Sequence, residues 1–145
     1  MTPTQITNVK KWIKLLRSGK YSQGRGNLAR STDVTNLAHS TNGISTNYCC
    51  LGVLCETMNL KPVKFDDYNN PTIGRAMYNF GLKPDSKAFL RSKIISPYTF
   101  KKWTGMTNSF QSELAELNDL GKSFKVIANI IKEKMKFNLF HLEII

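Results

Sequence analysis

Carboxylates are scarce in this sequence. Ten Asp and Glu stand against 21 Lys and Arg in 145 residues, a formal net charge of +11. Residues 1–30 contain no acid at all. No spacing suggests a pair of catalytic carboxylates, and an inhibitor that imitates DNA through negative charge is excluded. Histidine is limited to His39 and His141. The three cysteines, Cys49, Cys50 and Cys55, are odd in number and two are adjacent. That is a poor disulfide framework and points to a reducing cytoplasm. No apolar run approaches the length of a bilayer span. No signal peptide is visible, because Met1–Gln5 leads into an amphipathic basic segment.

What is present fits a folded domain. The chain is 41% hydrophobic and 10% aromatic, and its length is enough for one domain, 1–145, with a core that needs no staple. The positive charge is segregated. One block is Lys10, Lys11, Lys14, Arg17, Lys20, Arg25 and Arg30. A second is Lys83, Lys87, Arg91, Lys93, Lys101 and Lys102, with only Asp85 among them. The acids gather at Asp66 and Asp67 and at Glu113, Glu116 and Asp119. Such a pattern favours one basic face over evenly scattered solubilising charge, and a field of this sign attracts phosphates, acidic proteins or anionic membranes.

Periodicity places the elements. Val9, Trp12, Ile13 and Leu16 fall on one helical face and Lys10, Lys14 and Arg17 on another, with Thr7 as the expected N-cap and Gly19 past the C-terminus. A short strand is expected around Asn27–Arg30. Ser31–Thr46, with Asn42-Gly43, reads as a hairpin or long loop. Tyr48–Leu60 is apolar at nearly every position and predicts a buried helix, in which Gly52 allows close approach of another backbone. Thr72–Phe80 suggests a short helix and Ala88–Ile95 an extended segment. Ser96-Pro97 opens a helical turn to Trp103, Gln111–Asn118 is helical, and Ser123 caps a helix carrying Phe124, Ile127, Ala128 and Ile131. The alternation of Phe140, Leu142 and Ile144 predicts a C-terminal strand. The expected fold is α+β: a single compact domain of about four helices with a small antiparallel sheet that includes this last strand.

Chemistry-bearing motifs are few. Cys50-x4-Cys55 matches no standard zinc spacing, and cysteines on a buried helix are expected to pack as small hydrophobes. Nothing places His39 or His141 beside a thiol as a base. No metal, cofactor or catalytic set is expected, and an enzyme is unsupported. Gln23-Gly24-Arg25-Gly26-Asn27 reads either as a simple turn or as an anion contact. Its glycines let backbone N–H groups approach, and Arg25 adds a forked donor. Asn118-Asp119-Leu120-Gly121-Lys122-Ser123 reads as an Asx turn between two helices. Trp12 is expected as a core anchor from its helical face, Trp103 reads either as a core anchor or as a ring beside the basic stretch, and Tyr21 and Tyr98 are expected as surface rings beside basic residues.

Three stretches resemble a family of small tailed-phage proteins. They are Trp12…Leu16-Arg17-Ser18-Gly19-Lys20-Tyr21-Ser22-Gln23-Gly24, then Tyr48-Cys49-Cys50-Leu51-Gly52-Val53-Leu54-Cys55, then Leu114-Ala115-Glu116-Leu117-Asn118-Asp119 with Gly121, Ser123 and Phe124. The resemblance implies a phage origin, the host cytoplasm and an accessory, counter-defence role. Two functions follow as expectations. The first is binding and sequestering an anionic ligand such as a nucleotide-derived immune signal, through Arg17, Tyr21, Gln23, Arg25, Asn27 and Arg30. The alternative is a nucleic-acid- or protein-binding inhibitor of a host defence machine, of the anti-CRISPR type. Neither involves a membrane, and a homo-oligomer is compatible with both.

Overall fold

Thr2 caps the first helix, α1 (Pro3–Arg17), in a reciprocal box. Its hydroxyl accepts from Gln5 N at 3.1 Å, and its own N–H donates to Gln5 Oε1 at 2.9 Å. The expected cap, Thr7, lies inside the helix instead. Its hydroxyl donates back to Pro3 O, so it is already satisfied a turn later. Pro3, with φ preset for a first turn, moves the start upstream. Val9, Trp12, Ile13 and Leu16 are all buried, as their spacing predicts, and Gly19 follows the helix at φ +74°.

The computed structural model describes residues 1–33, 44–59, 62–64, 78–80 and 94–144. After α1 come β1 (Ser22–Gln23), β2 (Ala29–Asp33), β3 (Ile44–Tyr48) and α2 (Cys50–Thr57). Then follow β4 (Pro62–Lys64), β5 (Tyr78–Phe80), α3 (Pro97–Thr104), α4 (Asn108–Asp119) and α5 (Phe124–Ile144). The described residues form a mostly helical α+β arrangement. β3 is the centre of a three-stranded sheet, antiparallel to β2 with Ala29 opposite Tyr48, and parallel to β1 with Gln23 opposite Tyr48. The sheet is therefore mixed rather than wholly antiparallel. β4 and β5 pair antiparallel in a second, two-stranded sheet.

Four other expectations are corrected. The described residues hold five helices, not about four. The expected C-terminal strand is a helix in the described residues: Lys136–Ile144 continues α5. The alternation of Phe140, Leu142 and Ile144 is overridden by the longer repeat Phe124, Ile127, Ala128, Ile131, Met135 and Leu139. That repeat meets no glycine or proline and keeps one face on the core. Tyr78–Phe80, placed in a helix by its sequence, is a strand, while 72–77 lie outside the described residues. Tyr48 ends β3 rather than starting α2, because its carbonyl accepts from Gly24 N at 2.7 Å. Of the expected extended segment Ala88–Ile95, residues 88–93 are outside the described residues, and Ile94 and Ile95 belong to no helix or strand.

The core is a single buried cluster to which all five helices contribute. Trp12 lies in it with its indole N–H on Cys50 O at 2.8 Å and its ring edge-on to Phe100. α2 is buried on nearly every side and presses against the chain before β2. A Cβ on Gly52 would lie 1.7 Å from Leu28 O, and Leu28 O accepts from Cys49 N at 3.1 Å. Only a glycine allows that approach.

The buried polar side chains are matched. Gln111 brackets Ile95, donating to its O at 2.9 Å and accepting from its N at 2.7 Å. The Thr104 hydroxyl donates to Phe100 O and accepts from Met106 N.

Gly52→Ala is expected to cost about 3 kcal/mol, because backbone must move to admit one methyl group. Denaturant unfolding monitored by tryptophan fluorescence measures it. A change within about 0.5 kcal/mol would show that the contact yields freely.

Candidate functional site

Of the candidate ligand residues, Arg17, Gln23 and Arg25 lie around the junction of α1, β1 and the α4–α5 turn. The centre of this region is a single buried side chain, Asn118. Its Oδ1 accepts from Cys50 N at 3.1 Å and from Gln23 Nε2 at 3.0 Å. Its Nδ2 donates to Gly24 O at 2.8 Å. An amide has two donors and two acceptor positions, and three of those four are used here. The three stretches singled out in the sequence thus converge on one amide: Gln23-Gly24 from the first, Cys50 from the second, Asn118 from the third.

Gln23 serves the same knot from the other side. Its Nε2 also donates to Lys122 O at 2.6 Å, and its Oε1 accepts from Phe124 N at 3.1 Å. It thereby supplies a partner for a free N–H at the start of α5. Ser123 adds the expected N-cap, accepting from Val126 N at 3.3 Å. Asp119 Oδ1 accepts from Gly26 N at 2.9 Å. The Gln23–Asn27 segment is therefore held against the 118–123 turn, and both of its side-chain amide atoms at Gln23 are engaged within the protein.

The other candidates are dispersed around this knot. Arg17, at the end of α1, donates from Nη2 to Asn129 Oδ1 on α5 at 2.6 Å. Tyr21 is half-buried, its ring edge-on to Tyr48 at 5.0 Å, with Lys20 Nζ 5.6 Å from its centroid. Burial, and secondarily the charge of Glu56, raises its phenol above the ordinary value. Glu56 in turn accepts from Tyr48 OH at 3.1 Å. Arg25 is exposed and lies against Gly121, where a Cβ would come within 2.8 Å of Nη2. Asn27 is half-buried. Arg30 belongs to β2, and its side chain lies outside what the structure describes, as do Lys83, Lys87, Arg91 and Lys93.

The cysteines pack as the sequence suggests. All three are buried, and burial raises each thiol, Cys49 from 9.0 to about 11. Cys49 Sγ caps α2, accepting from Gly52 N at 3.4 Å, and Cys50 Sγ donates to Leu114 O at 3.6 Å. His39 is outside the described residues, as is the side chain of His141. Among the described residues no group of three His, Cys, Asp or Glu is placed to hold a metal ion, and no helix is long and apolar enough to cross a membrane.

One signal was missed in the sequence. α5 carries Lys125, Asn129, Lys132 and Lys136 at spacings of four, three and four, a stripe on one face. Lys125, Asn129 and Lys136 are exposed and Lys132 is half-buried. α1 carries its own exposed stripe of Lys10, Lys14 and Arg17. The Arg17–Asn129 bond joins the two stripes on packed neighbouring helices. The one ion pair among the described residues links Lys136 to Glu133 at 3.6 Å, and both are exposed.

The family model described as "Domain of unknown function (DUF8296)" matches residues 5–135, from α1 through most of α5. No curated protein and no solved structure matches the chain.

Two outcomes test the knot. Asn118→Ala strands Cys50 N–H and Gly24 C=O in the interior and is expected to cost about 3 kcal/mol, whereas Gln23→Ala, nearer water, is expected to cost about 1 kcal/mol. Equal losses in denaturant melts would refute that hierarchy. The thiols give a pH signature. The folded state keeps protons that the unfolded chain releases above pH 9, so their contribution is whole below pH 9 and is lost as pH rises toward 11. The unfolding midpoint is expected to fall across that window, less steeply in Cys49→Ser, which keeps a capping oxygen.

Proposed function

This chain belongs to the DUF8296 family of domains of unknown function, and from its own residues we propose that it binds an extended polyanion, a nucleic acid, on the joined faces of α1 and α5. The observation that carries this is the continuity of the two cationic stripes through Arg17 and Asn129. Lys10 to Arg17 covers about 10 Å of helix and Lys125 to Lys136 about 16 Å. That length meets several phosphates in a row. Helix surfaces are convex, whereas a small nucleotide is held in a concave site that encloses most of it. Gln23, which would have lined such a site, is occupied within the protein. The ring of Tyr21 packs on Tyr48. These placements favour a polymer lying across the surface over a sequestered messenger.

Charge on this face costs the fold little, because exposed like charges are screened over about 8 Å at physiological salt. A polymer that replaces its own condensed counterions with these lysines gains affinity from their release. The likeness to tailed-phage proteins supports the host cytoplasm as the setting. It also supports interference with a host defence machine that works on or through nucleic acid as the use.

Binding to a labelled oligonucleotide, followed by anisotropy from low to high salt, tests the reading. Affinity is expected to fall linearly on logarithmic axes, and the double variant Lys14→Ala/Lys132→Ala to lower the slope by about 2. A salt-independent affinity, or retention of a cyclic dinucleotide with no retention of oligonucleotides, would overturn it in favour of a messenger site.

A further inference from the structure

Tyr98 is 78% exposed, more than any other large apolar side chain among the described residues. An aromatic ring so placed gains nothing from the core, and its surroundings are cationic. It stands on the first turn of α3, with Lys101 and Lys102 following at i+3 and i+4, so all three share the outer side of that helix. Both lysines are exposed.

α3 is held firmly beneath this ring. Phe100 and Thr104 point inward and are fully buried. Ser96 Oγ caps the N-terminus through Thr99 N, and Pro97 presets the first turn. The C-terminal carbonyls are met by α1: Gln5 Nε2 donates to Lys101 O at 3.3 Å and Lys102 O at 3.2 Å, and Asn8 Nδ2 donates to Trp103 O at 2.9 Å. The helix bearing Tyr98 is thus pinned to the helix bearing Lys10, Lys14 and Arg17.

A flat, exposed ring flanked by cations matches a ligand that offers flat rings and phosphates together. In a duplex the base faces are stacked on one another and are closed to a side chain. In a single strand they are open, and stacking on an aromatic ring tolerates any base. We propose that the polyanion is single-stranded nucleic acid, with one base stacked on Tyr98 and adjacent phosphates on Lys101 and Lys102. This rests on the polyanion reading above and narrows its ligand class.

The test compares four probes at one salt concentration with the full chain: a single-stranded DNA and a single-stranded RNA of about 16 nucleotides, the matching DNA duplex, and inorganic polyphosphate of similar charge. Tyr98→Ala is expected to weaken binding of either single strand about tenfold and to leave duplex and polyphosphate unchanged, with the salt slope retained. Tyr98→Phe is expected to bind as the parent does. Because the ring is exposed, neither substitution disturbs the fold, which a thermal melt verifies. Polymers that bind in a salt-dependent way with no effect of Tyr98→Ala would overturn the stacking site and leave the polyanion reading standing. An equal loss on polyphosphate would also overturn it, since that polymer has no base to stack. Failure of every polymer to bind would overturn both.

Discussion

The carboxamide of Asn118 holds together segments that are far apart in the chain. It is fully buried, so each bond it makes replaces water that cannot reach it. It ties the start of α2, the carbonyl of Gly24 and the amide of Gln23 to the end of α4. Gln23 then carries the tie onward, donating to the Lys122 carbonyl and accepting from the first N–H of α5, at Phe124. The turn into α5 is set by this chain of contacts, and so is the direction in which α5 leaves to lie along α1. The Arg17–Asn129 contact, and with it the continuous cationic face, depends on that direction.

A second constraint works with the first. α2 is buried almost all round and contacts backbone rather than side chain at Gly52, where Leu28 O takes the space of a Cβ. The same Leu28 carbonyl accepts from Cys49 N. α2 is therefore located by main-chain contacts at its N-cap and within its first turn. Its cysteines fill the remaining volume. Burial holds their thiols protonated, which makes them poor nucleophiles and stable packing groups.

Much of this frame was legible beforehand. The face of α1, the glycine contact of α2 and the caps Ser96 and Ser123 are local, and local patterns report them. The failures share a cause. Thr7 and the Phe140–Ile144 alternation each gave a reasonable local signal that a neighbouring feature overrode: Pro3 with Thr2 at one end of the chain, and the long apolar repeat of α5 at the other. Gln23 looked like a ligand-binding side chain because glycines and an arginine surround it. Its partners, Asn118, Lys122 and Phe124, are about a hundred positions away, and nothing near it in sequence announces them.

The sequence by itself determined that the chain is strongly basic, that its first thirty residues hold no acid, that its cysteines belong to a buried helix, and that three stretches stand apart from the rest. Those are properties of composition and of short spacing, which survive any arrangement of the elements. Only the tertiary structure decided that the three stretches are one hydrogen-bonded knot. It also decided that the basic residues of α1 adjoin a second stripe on α5, and that of the two tyrosines expected at the surface Tyr98 is open to solvent while Tyr21 packs on Tyr48. Charges and amides that are distant in the chain become one surface or one site only when packing brings their helices side by side.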